Sequence, residues 1–600
     1  MGFVTAKEVA KIMKLEKLGL LGTSMGWMVL RTTKLSRLNK EYQKRKNLEG
    51  TEFIDSILEG FEIQFDIPEK DLKRIPKEGP FITIANHPLG GIDGMILMKL
   101  LLAQRKDYKI IANFLLHRLD PLRPFIMAVN PFETHKDAKS SVGGIKEALG
   151  HLRDGHALGM FPAGEVSTYR DEKLIVDKPW EPVAMRLIQK AKVPVIPIYF
   201  HAKNSTFFYR LASMSDVFRT AKLPSEMLSQ KRRKIKVRIG NPISVEDQSK
   251  YKDLETFTAY LRRKTYMLAN VFEKKKLFEK LPQTLKLPKF PKKIATEIQT
   301  ELMEEEIENC RKLDKKLLDS KNYEVFLAKK EIIPHILQEI GRLREITFRA
   351  IGEGTNNASD LDEFDDYYYH LFLWDNEAKK VVGAYRMGMG SEIFEKHGID
   401  GFYLQNLFRF EPELHQMMSE SIEMGRAFIV KEYQQKPMPL FLLWKGIVHC
   451  TLRFPENKYL IGGVSISNKF SEFSKSLMIE FMRSNYYDPY VAQYIRPKKE
   501  FKVKLKDADK NIVFDKNDAD LNKFDKLIDE IEPGNLRLPV LIKKYIKQNA
   551  KVVAFNVDPL FNNSVDGLMY IQISDLPEST VKPVMEEFQK KLEEDKIAEN

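Results

Sequence analysis

Cysteine is almost absent from this 600-residue chain, which holds only Cys310 and Cys450. Two thiols build neither a disulfide framework nor a thiolate zinc cluster, and a reducing, cytoplasmic setting is expected. Long apolar runs are missing as well. The run Leu18 to Leu30 spans 13 residues, short of the roughly 20 that a membrane-crossing helix needs. No small-residue cleavage site follows it, so no signal peptide is expected. Zinc-finger, RNP and other nucleic-acid-binding motifs are lacking, and nucleic acid is not an expected partner. What remains is an ordinary globular composition, with 43% hydrophobic and 30% charged residues, enough apolar material for several packed units.

Charge is unevenly spread. The 97 Lys/Arg and 84 Asp/Glu leave +13 overall, but 54 − 33 = +21 falls on residues 1–300 and 43 − 51 = −8 on residues 301–600. Lys7, Lys11, Lys14 and Lys17 precede the Leu18 to Leu30 run, and Arg31, Lys34, Arg37 and Lys40 follow it. A short apolar stretch between cations suits a segment lying on an anionic membrane surface. Residues 1–50 are therefore expected to attach the chain peripherally, on the inner face of a bacterial inner membrane. A buried amphipathic helix with solvated lysines is the plainer alternative.

Strand-like runs at 81–85, 108–112, 157–161, 193–200 and 235–239, with helical patterns at 93–104 and 141–153 between the first of them, predict an α/β layer architecture. The Pro/Lys-rich stretch 274–295 is expected to be a linker, dividing a domain at 51–273 from one at 296–600. In the latter, a glutamate-rich helix leads to strands near 370–374, 380–385, 426–430, 459–464, 551–556 and 568–573. Residues 500–522 are expected to loop out, and a charged helix ends the chain.

After the first strand comes Asn86-His-Pro-Leu-Gly-Gly-Ile-Asp-Gly94. A carboxylate against one imidazole nitrogen fixes the tautomer and leaves the other nitrogen to take a proton from a hydroxyl. Further on, Phe161-Pro-Ala-Gly-Glu-Val-Ser167 places a second glycine turn at a strand end, and Val193-Pro-Val-Ile-Pro-Ile-Tyr-Phe200 follows. Over roughly residues 60–260 these motifs resemble the phospholipid/glycerol acyltransferase family, with its NHxxxxD, FPEGTRS and VPVxPV. The resemblance implies His87 as the base for an acceptor hydroxyl and Asp93 as its orienting carboxylate. By motif position it implies Asn86, Gly91, Phe161, Pro162, Gly164, Glu165 and Ser167 as substrate-binding residues. The sequence departs from the family in two ways. Five residues separate His87 from Asp93 where the family usually has four, and Ala163 and Val166 replace the Glu and Arg of FPEGTRS. The stretch Phe125 to Asn130 likewise lacks the arginine that normally ends the intermediate motif. Neither alanine nor valine imitates the guanidinium fork that grips phosphate, so the acceptor is expected to carry none. Glu165 is a candidate for facing a cationic or amide-bearing head group.

The second half presents Arg344 in 343–348, the acidic run 360–366, the run 370–375, then Val381 to Arg386, and Glu423-Met-Gly-Arg426. The acidic run lacks calcium-loop geometry, so no metal is expected, and no cofactor is expected. The order of motifs, over about 320–480 and again 538–576, resembles the acyl-carrier-protein-dependent N-acyltransferases of the wider GNAT fold. These are the ornithine-lipid N-acyltransferases and, more distantly, the acyl-homoserine-lactone synthases. Site roles implied by the resemblance fall on Arg344, Asp362, Asp365, Glu423 and Arg426. Glu423 is the preferred base, since an α-ammonium must lose a proton before it attacks a thioester. Arg426 is expected either to pair with Glu423 or to hold the acceptor's carboxylate.

The fold expected is thus α/β in two domains, one of the glycerolipid-acyltransferase type and one GNAT-like. Together they resemble the bifunctional ornithine-lipid synthases. That resemblance implies N-acylation of an amino acid with a 3-hydroxyacyl group from acyl carrier protein, then O-acylation of the resulting lyso-lipid. Ornithine is the first head group considered and glycine the next. Expected partners are acyl carrier protein, docking near Lys543, Lys544 and Lys547, together with anionic membrane lipids and the amino-acid and lyso-lipid substrates. The alternatives are a lysophospholipid acyltransferase with a regulatory second half, and a non-catalytic membrane-surface or lytic protein.

Overall fold

A computed structural model describes residues 6, 10, 19–32, 35–113, 119–129, 138–170, 174–209, 226, 234–272, 291–505, 520–534, 536–559 and 561–598. Lys7, Lys11, Lys14, Lys17, Lys34 and Asn130, most of the expected linker and most of the 500–522 loop lie outside them. The chain forms two compact units, Met1–Lys274 with Asp529–Asn535, and Lys275–Ile528 with Leu536–Asn600.

The first unit opens with helices α1 (Gly19–Thr32), α2 (Leu35–Arg45) and α3 (Gly50–Gly60). Its sheet comprises β1 (Gln64–Asp66), β2 (Phe81–Ala85), β3 (Lys109–Asn113), β4 (Ile126–Val129), β5 (Ala157–Met160), β8 (Val195–His201) and β9 (Lys234–Ile239), while β6 (Thr168–Arg170) and β7 (Leu174–Val176) form a separate hairpin. The order is β1-β9-β8-β2-β5-β3-β4, with every pair parallel except β8 and β9. β2 is buried at all five positions, and such an unbroken apolar run is what a parallel strand covered on both faces requires. Crossover helices α4 (Gly91–Leu102), α5 (Ala138–Arg153) and α6 (Pro182–Ala191) join the strands, and α7 (Leu254–Met267) follows β9. The strand at 126–129 was not anticipated from sequence. It reads there as part of a motif, because four apolar residues carry too little periodicity to identify a strand.

α1 holds the apolar run of the N-terminal segment in the open: Leu20 is 89% exposed, and Leu21, Trp27 and Met28 are also exposed. No helix among the described residues is long and apolar enough to cross a membrane.

The second unit is built on an eight-stranded sheet of order β10-β11-β12-β13-β15-β16-β19-β18. Its strands are β10 (Lys316–Ser320), β11 (Tyr323–Ala328), β12 (Tyr369–Asp375), β13 (Lys380–Met389), β15 (Ser421–Ile429), β16 (Tyr459–Ile466), β18 (Lys551–Asp558) and β19 (Ser564–Gln572), while β14 (Phe408–Phe410) and β17 (Ile495–Pro497) pair separately. Only β15 and β16 run parallel, and their ladder ends at Met424↔Gly462. Beyond that point the strands part, a feature that positions the second cavity described below. α8 (Thr300–Lys312), α9 (Pro334–Ile351), α10 (Pro437–Arg453), α11 (Glu472–Tyr486) and α12 (Val540–Ile546) complete the unit. Residues 291–295, expected as linker, already belong to it: Lys292 and Ala295 donate their amides to Asn356 and Ala358.

Two cavities and the side chains that close them

In the first unit β2 and β5 lie side by side, and the motif loops leave their carboxyl ends, the usual place for a site in a parallel sheet. His87 follows β2, and Phe161 follows β5 and stacks on its ring at 4.0 Å. Asp93 lies in the first turn of α4, wholly buried. Its Oδ2 is 3.2 Å from His87 Nδ1, a charge-pair distance whose alignment falls short of a hydrogen bond, and neither Nδ1 nor Asp93 Oδ1 has a hydrogen-bond partner among the described residues. Catalytic contacts are often loose until substrate binds. The same Oδ2 accepts from the amides of Leu89 at 2.7 Å and Gly90 at 3.1 Å. Burial raises the Asp93 pKa against the opposing pull of His87 and these amides. In the turn between His87 and Asp93, Gly90 sits at φ 76° and ψ −129°, a conformation essentially reserved for glycine.

Against this pair opens a cavity of about 470 Å³, lined by Tyr42, Phe53 and Ile57 from α2 and α3, by Met95 and Met98 from α4, and by Leu122 among others. His87, Gly91, Phe161, Pro162 and Gly164 also line it. Its described lining includes Glu41 and Glu181 but neither lysine nor arginine. Ala163 and Val166 are buried where the resembling family carries Glu and Arg.

Three residues expected at substrate have partners within the protein. Asn86 donates Nδ2 to the Phe200 carbonyl at 3.0 Å and accepts the Phe200 amide at 2.7 Å, stitching β2 to β8. Ser167 donates its amide to the His87 carbonyl and its hydroxyl to Asp177 at 2.6 Å. Glu165, considered for a cationic head group, is paired with Lys178 at 2.6 Å. Gly164 makes the turn at φ +65° and donates to the Phe161 carbonyl.

In the second unit, the parting of β15 and β16 opens a cavity of about 250 Å³ lined by Glu423 to Ala427 on one strand and Gly463 to Ser465 on the other. Glu423 is buried. Its Oε2 accepts the Tyr368 hydroxyl at 2.8 Å and its Oε1 the Leu404 amide at 3.1 Å. Burial pushes its pKa up to about 7, against the Tyr368 hydrogen bond and the Arg386 charge. A carboxylic acid tuned to neutrality exchanges protons readily at physiological pH.

Beside it lies a buried ionic cluster. Arg344 pairs with Asp365 at 2.7 Å, Arg386 with Asp362 and, at 3.3 Å, with Asp365. Arg426 pairs with Asp360 and Asp362, both at 3.2 Å. Arg344 and Arg386 hold the Asp365 carboxyl well below its ordinary range although burial opposes them. His370, buried beside Arg344, is pushed down to about 3. Arg426 therefore does not pair with Glu423. Its guanidinium lies over the rings of Tyr403 and Phe561, each at 4.8 Å, and it adopts φ 51°, a strained setting for a non-glycine residue. The cavity's far wall carries Glu353, Asp558 and Asp566. Burial lifts Glu353 to about 7, with repulsion from Asp566 and Asp558 adding to it, and lifts Asp566 to about 6, with repulsion from Asp558 adding to it. Among the described residues no group of three or more His, Cys, Asp or Glu could hold a metal ion.

Sequence reading did not single out Tyr368, Arg386, Glu353, Asp566 or Asp177. Arg386 closes a strand run already noted, and a lone arginine ending an apolar strand was the available signal. The others converge only through the fold.

Of the three cations expected to receive a carrier protein, Lys543 is paired with Asp525 at 3.1 Å. Lys544 is half-buried over the Trp444 ring, where burial lowers its pKa. Lys547 is exposed.

Comparison with known proteins places both units. Residues 11–275 match an acyltransferase family and residues 343–444 an acetyltransferase (GNAT) domain. A glycine N(alpha)-acyltransferase of Bacteroides thetaiotaomicron is 26% identical over 260 residues, 42% of this chain and 76% of its own. A lyso-glycine lipid O-acyltransferase of the same organism is 30% identical over 239 residues, 38% of this chain and 85% of its own. The crystal structure of a 1-acyl-sn-glycerophosphate acyltransferase from Thermotoga maritima aligns with 40% of this chain and 84% of its own, at 16% identity and a TM-score of 0.23. The chain is an acyltransferase: it belongs to the family that includes the lyso-glycine lipid O-acyltransferases and carries a GNAT-type domain on the same polypeptide.

Proposed function

We propose that this enzyme makes a diacylated amino-acid lipid in two steps, one per unit. In the second unit Glu423 takes a proton from the α-ammonium of the amino acid. The freed amine attacks a 3-hydroxyacyl thioester, an amide forms, and the thiol of the donor leaves. In the first unit His87, oriented by Asp93, takes the proton of the new lipid's 3-hydroxyl as that oxygen attacks a second acyl thioester. The imidazolium then returns the proton to the departing thiolate.

The observation that carries this reading is the contrast between the two cavities. One is apolar, ends at His87, and has no lysine or arginine in its described lining, which suits a hydroxyl on an acyl chain and not a phosphate ester. The other is acidic and ends at Glu423, which suits an ammonium. For the head group, the relatives' names favour glycine, while Glu353, Asp558 and Asp566 offer carboxyl groups to the second ammonium of ornithine. Acyl carrier protein is the proposed donor, its acidic surface meeting Lys547 and Lys544. Exposed α1 with its flanking cations is proposed to rest on the anionic inner face of the bacterial inner membrane.

Expression in a host lacking such lipids, followed by lipid mass spectrometry, tests the reading. The diacyl product is expected from the wild-type chain, and its head-group mass distinguishes glycine from ornithine. His87→Ala is expected to accumulate the monoacyl amide. Glu423→Gln is expected to abolish both products, with the diacyl product restored by supplied monoacyl lipid. An unchanged lipid profile with the wild-type chain, or lysophosphatidic acid consumed in preference to the monoacyl amide, overturns it.

A further inference from the structure

Asp177 follows β7 in none of the motifs discussed above, yet the residue is 1% exposed and its carboxylate gathers three donors. Oδ1 accepts the His87 amide at 3.1 Å and the Ser167 hydroxyl at 2.6 Å, and Oδ2 accepts the Trp180 indole N–H at 3.4 Å. The His87 amide lies just past the end of β2, where the ladder no longer supplies a partner, and a buried amide without an acceptor is costly. An ionised carboxylate offers only acceptors, which is what three converging donors require. The next peptide unit is held as well, because the His87 carbonyl accepts the Ser167 amide at 2.9 Å, so the backbone is fixed on both sides of the His87 Cα.

Asp177 is itself held from α7. Its amide donates to the Tyr266 hydroxyl at 2.9 Å. Arg262 donates to the carbonyls of Asp177 at 2.6 Å and Lys178 at 2.7 Å, with its guanidinium over the Tyr266 ring at 5.4 Å. The His87 loop and the Phe161–Ser167 loop are thereby joined at one carboxylate, and α7 fixes the backbone that carries it.

We propose that Asp177 is the positioning residue of the first site: by accepting the His87 amide and the Ser167 hydroxyl together, it locks the two motif loops and aims the His87 ring into the apolar cavity. This rests on the reading of His87 as the hydroxyl base. Asp177 touches neither substrate nor the imidazole, so its contribution is to angle and distance, where an error of about 1 Å costs on the order of 10²-fold in rate.

The test uses the purified full-length protein, a synthetic N-(3-hydroxyacyl) amino acid and an acyl thioester donor. Asp177→Ala is expected to lower kcat for O-acylation by about 10²-fold with KM within about threefold of wild type, while amine acylation by the same preparation is unchanged. Asp177→Asn keeps an oxygen for His87 and Ser167 and loses only the longest bond, to Trp180. It is expected to retain kcat within about fivefold, whereas Asp177→Leu, which keeps the volume and loses the acceptors, is expected to be as slow as the alanine variant, a contrast that packing alone does not explain. The proposal is overturned if folded Asp177→Ala turns over within about threefold of wild type. It is also overturned if the asparagine variant is as slow as the alanine one, or if the alanine variant loses melting temperature and yield at unchanged kcat per folded molecule. His87→Ala run beside them separates the two claims: wild-type turnover by that variant sinks the assignment of the base itself.

Discussion

Tyr368 donates its hydroxyl to Glu423 Oε2 at 2.8 Å and receives the Tyr403 amide at 3.0 Å. The tyrosine thus stands between the carboxyl and the loop that supplies the Leu404 amide to its other oxygen. A hydrogen bond donated to a carboxylate favours its ionised form, so Tyr368 restrains the rise in pKa that burial imposes on Glu423.

A pH dependence follows from this. Glu423 is raised to about 7, so the proposed base is protonated below that value and ionised above it. The rate of amine acylation should climb through a limb near pH 7. Tyr368→Phe should move that limb upward, since the stabilising donor is gone. Rate profiles of both proteins between pH 5.5 and about 9 read the shift directly, and coincident limbs would remove Glu423 from the reaction.

Asp93→Asn addresses the first site. The amide keeps the size of the side chain and the capping of α4 through one oxygen but removes the negative charge beside His87 Nδ1. Hydroxyl acylation should fall about 10²- to 10⁴-fold, the range for a disabled general base. Amine acylation measured on the same preparation should not change.

Acyl-chain length should respond to Gly94. It lines the first cavity, and a Cβ built there meets only Phe161, at an ordinary 3.9 Å. Gly94→Leu should therefore fold and project into the cavity, shifting the preferred O-linked chain toward shorter acyl groups. Product analysis with a mixture of donors of graded length measures this, and an unchanged distribution would place the acyl chain elsewhere.

Asp365→Ala should be severely destabilising. It leaves Arg344, wholly buried, without its 2.7 Å partner and deprives Arg386 of one of two. Breaking a buried pair from one side costs about 3–5 kcal/mol, readable as a lower urea midpoint for the second unit.

Attachment to anionic vesicles should combine charge and apolar contact. Exposed cations are screened within about 8 Å at physiological ionic strength, so raised salt should weaken sedimentation with vesicles. Trp27→Glu should weaken it at every salt concentration, because Trp27 is 58% exposed on α1. Binding indifferent to both would remove α1 from the membrane contact.

Much of the architecture was legible in the chain. β2 at 81–85 and the strand at 459 onward are apolar runs bounded by turn residues, and their position depends on local pattern alone. The motifs that contain His87, Asp93 and Glu423 are likewise short and contiguous, so these residues stand out along the chain before any fold is known. Strands such as β4 and β10, too short or too polar to show a period, take their conformation from neighbours in the sheet and were invisible beforehand.

Side-chain partnership was decided by tertiary structure. Sequence spacing made Glu423 and Arg426 a natural pair, but the strand turns Arg426 at φ 51° toward Asp360 and Asp362 and leaves Glu423 to Tyr368, 55 residues earlier. Asn86 and Ser167 sit inside recognisable motifs, yet their hydrogen bonds serve the backbone and Asp177. The membership of Asp529–Asn535 in the first unit has no local signature either. A motif specifies which chemical groups are near one another along the chain. Which carboxylate stays charged and which is lifted toward neutrality depends on burial and on charges brought in from distant segments, and those exist only once the sheet is assembled.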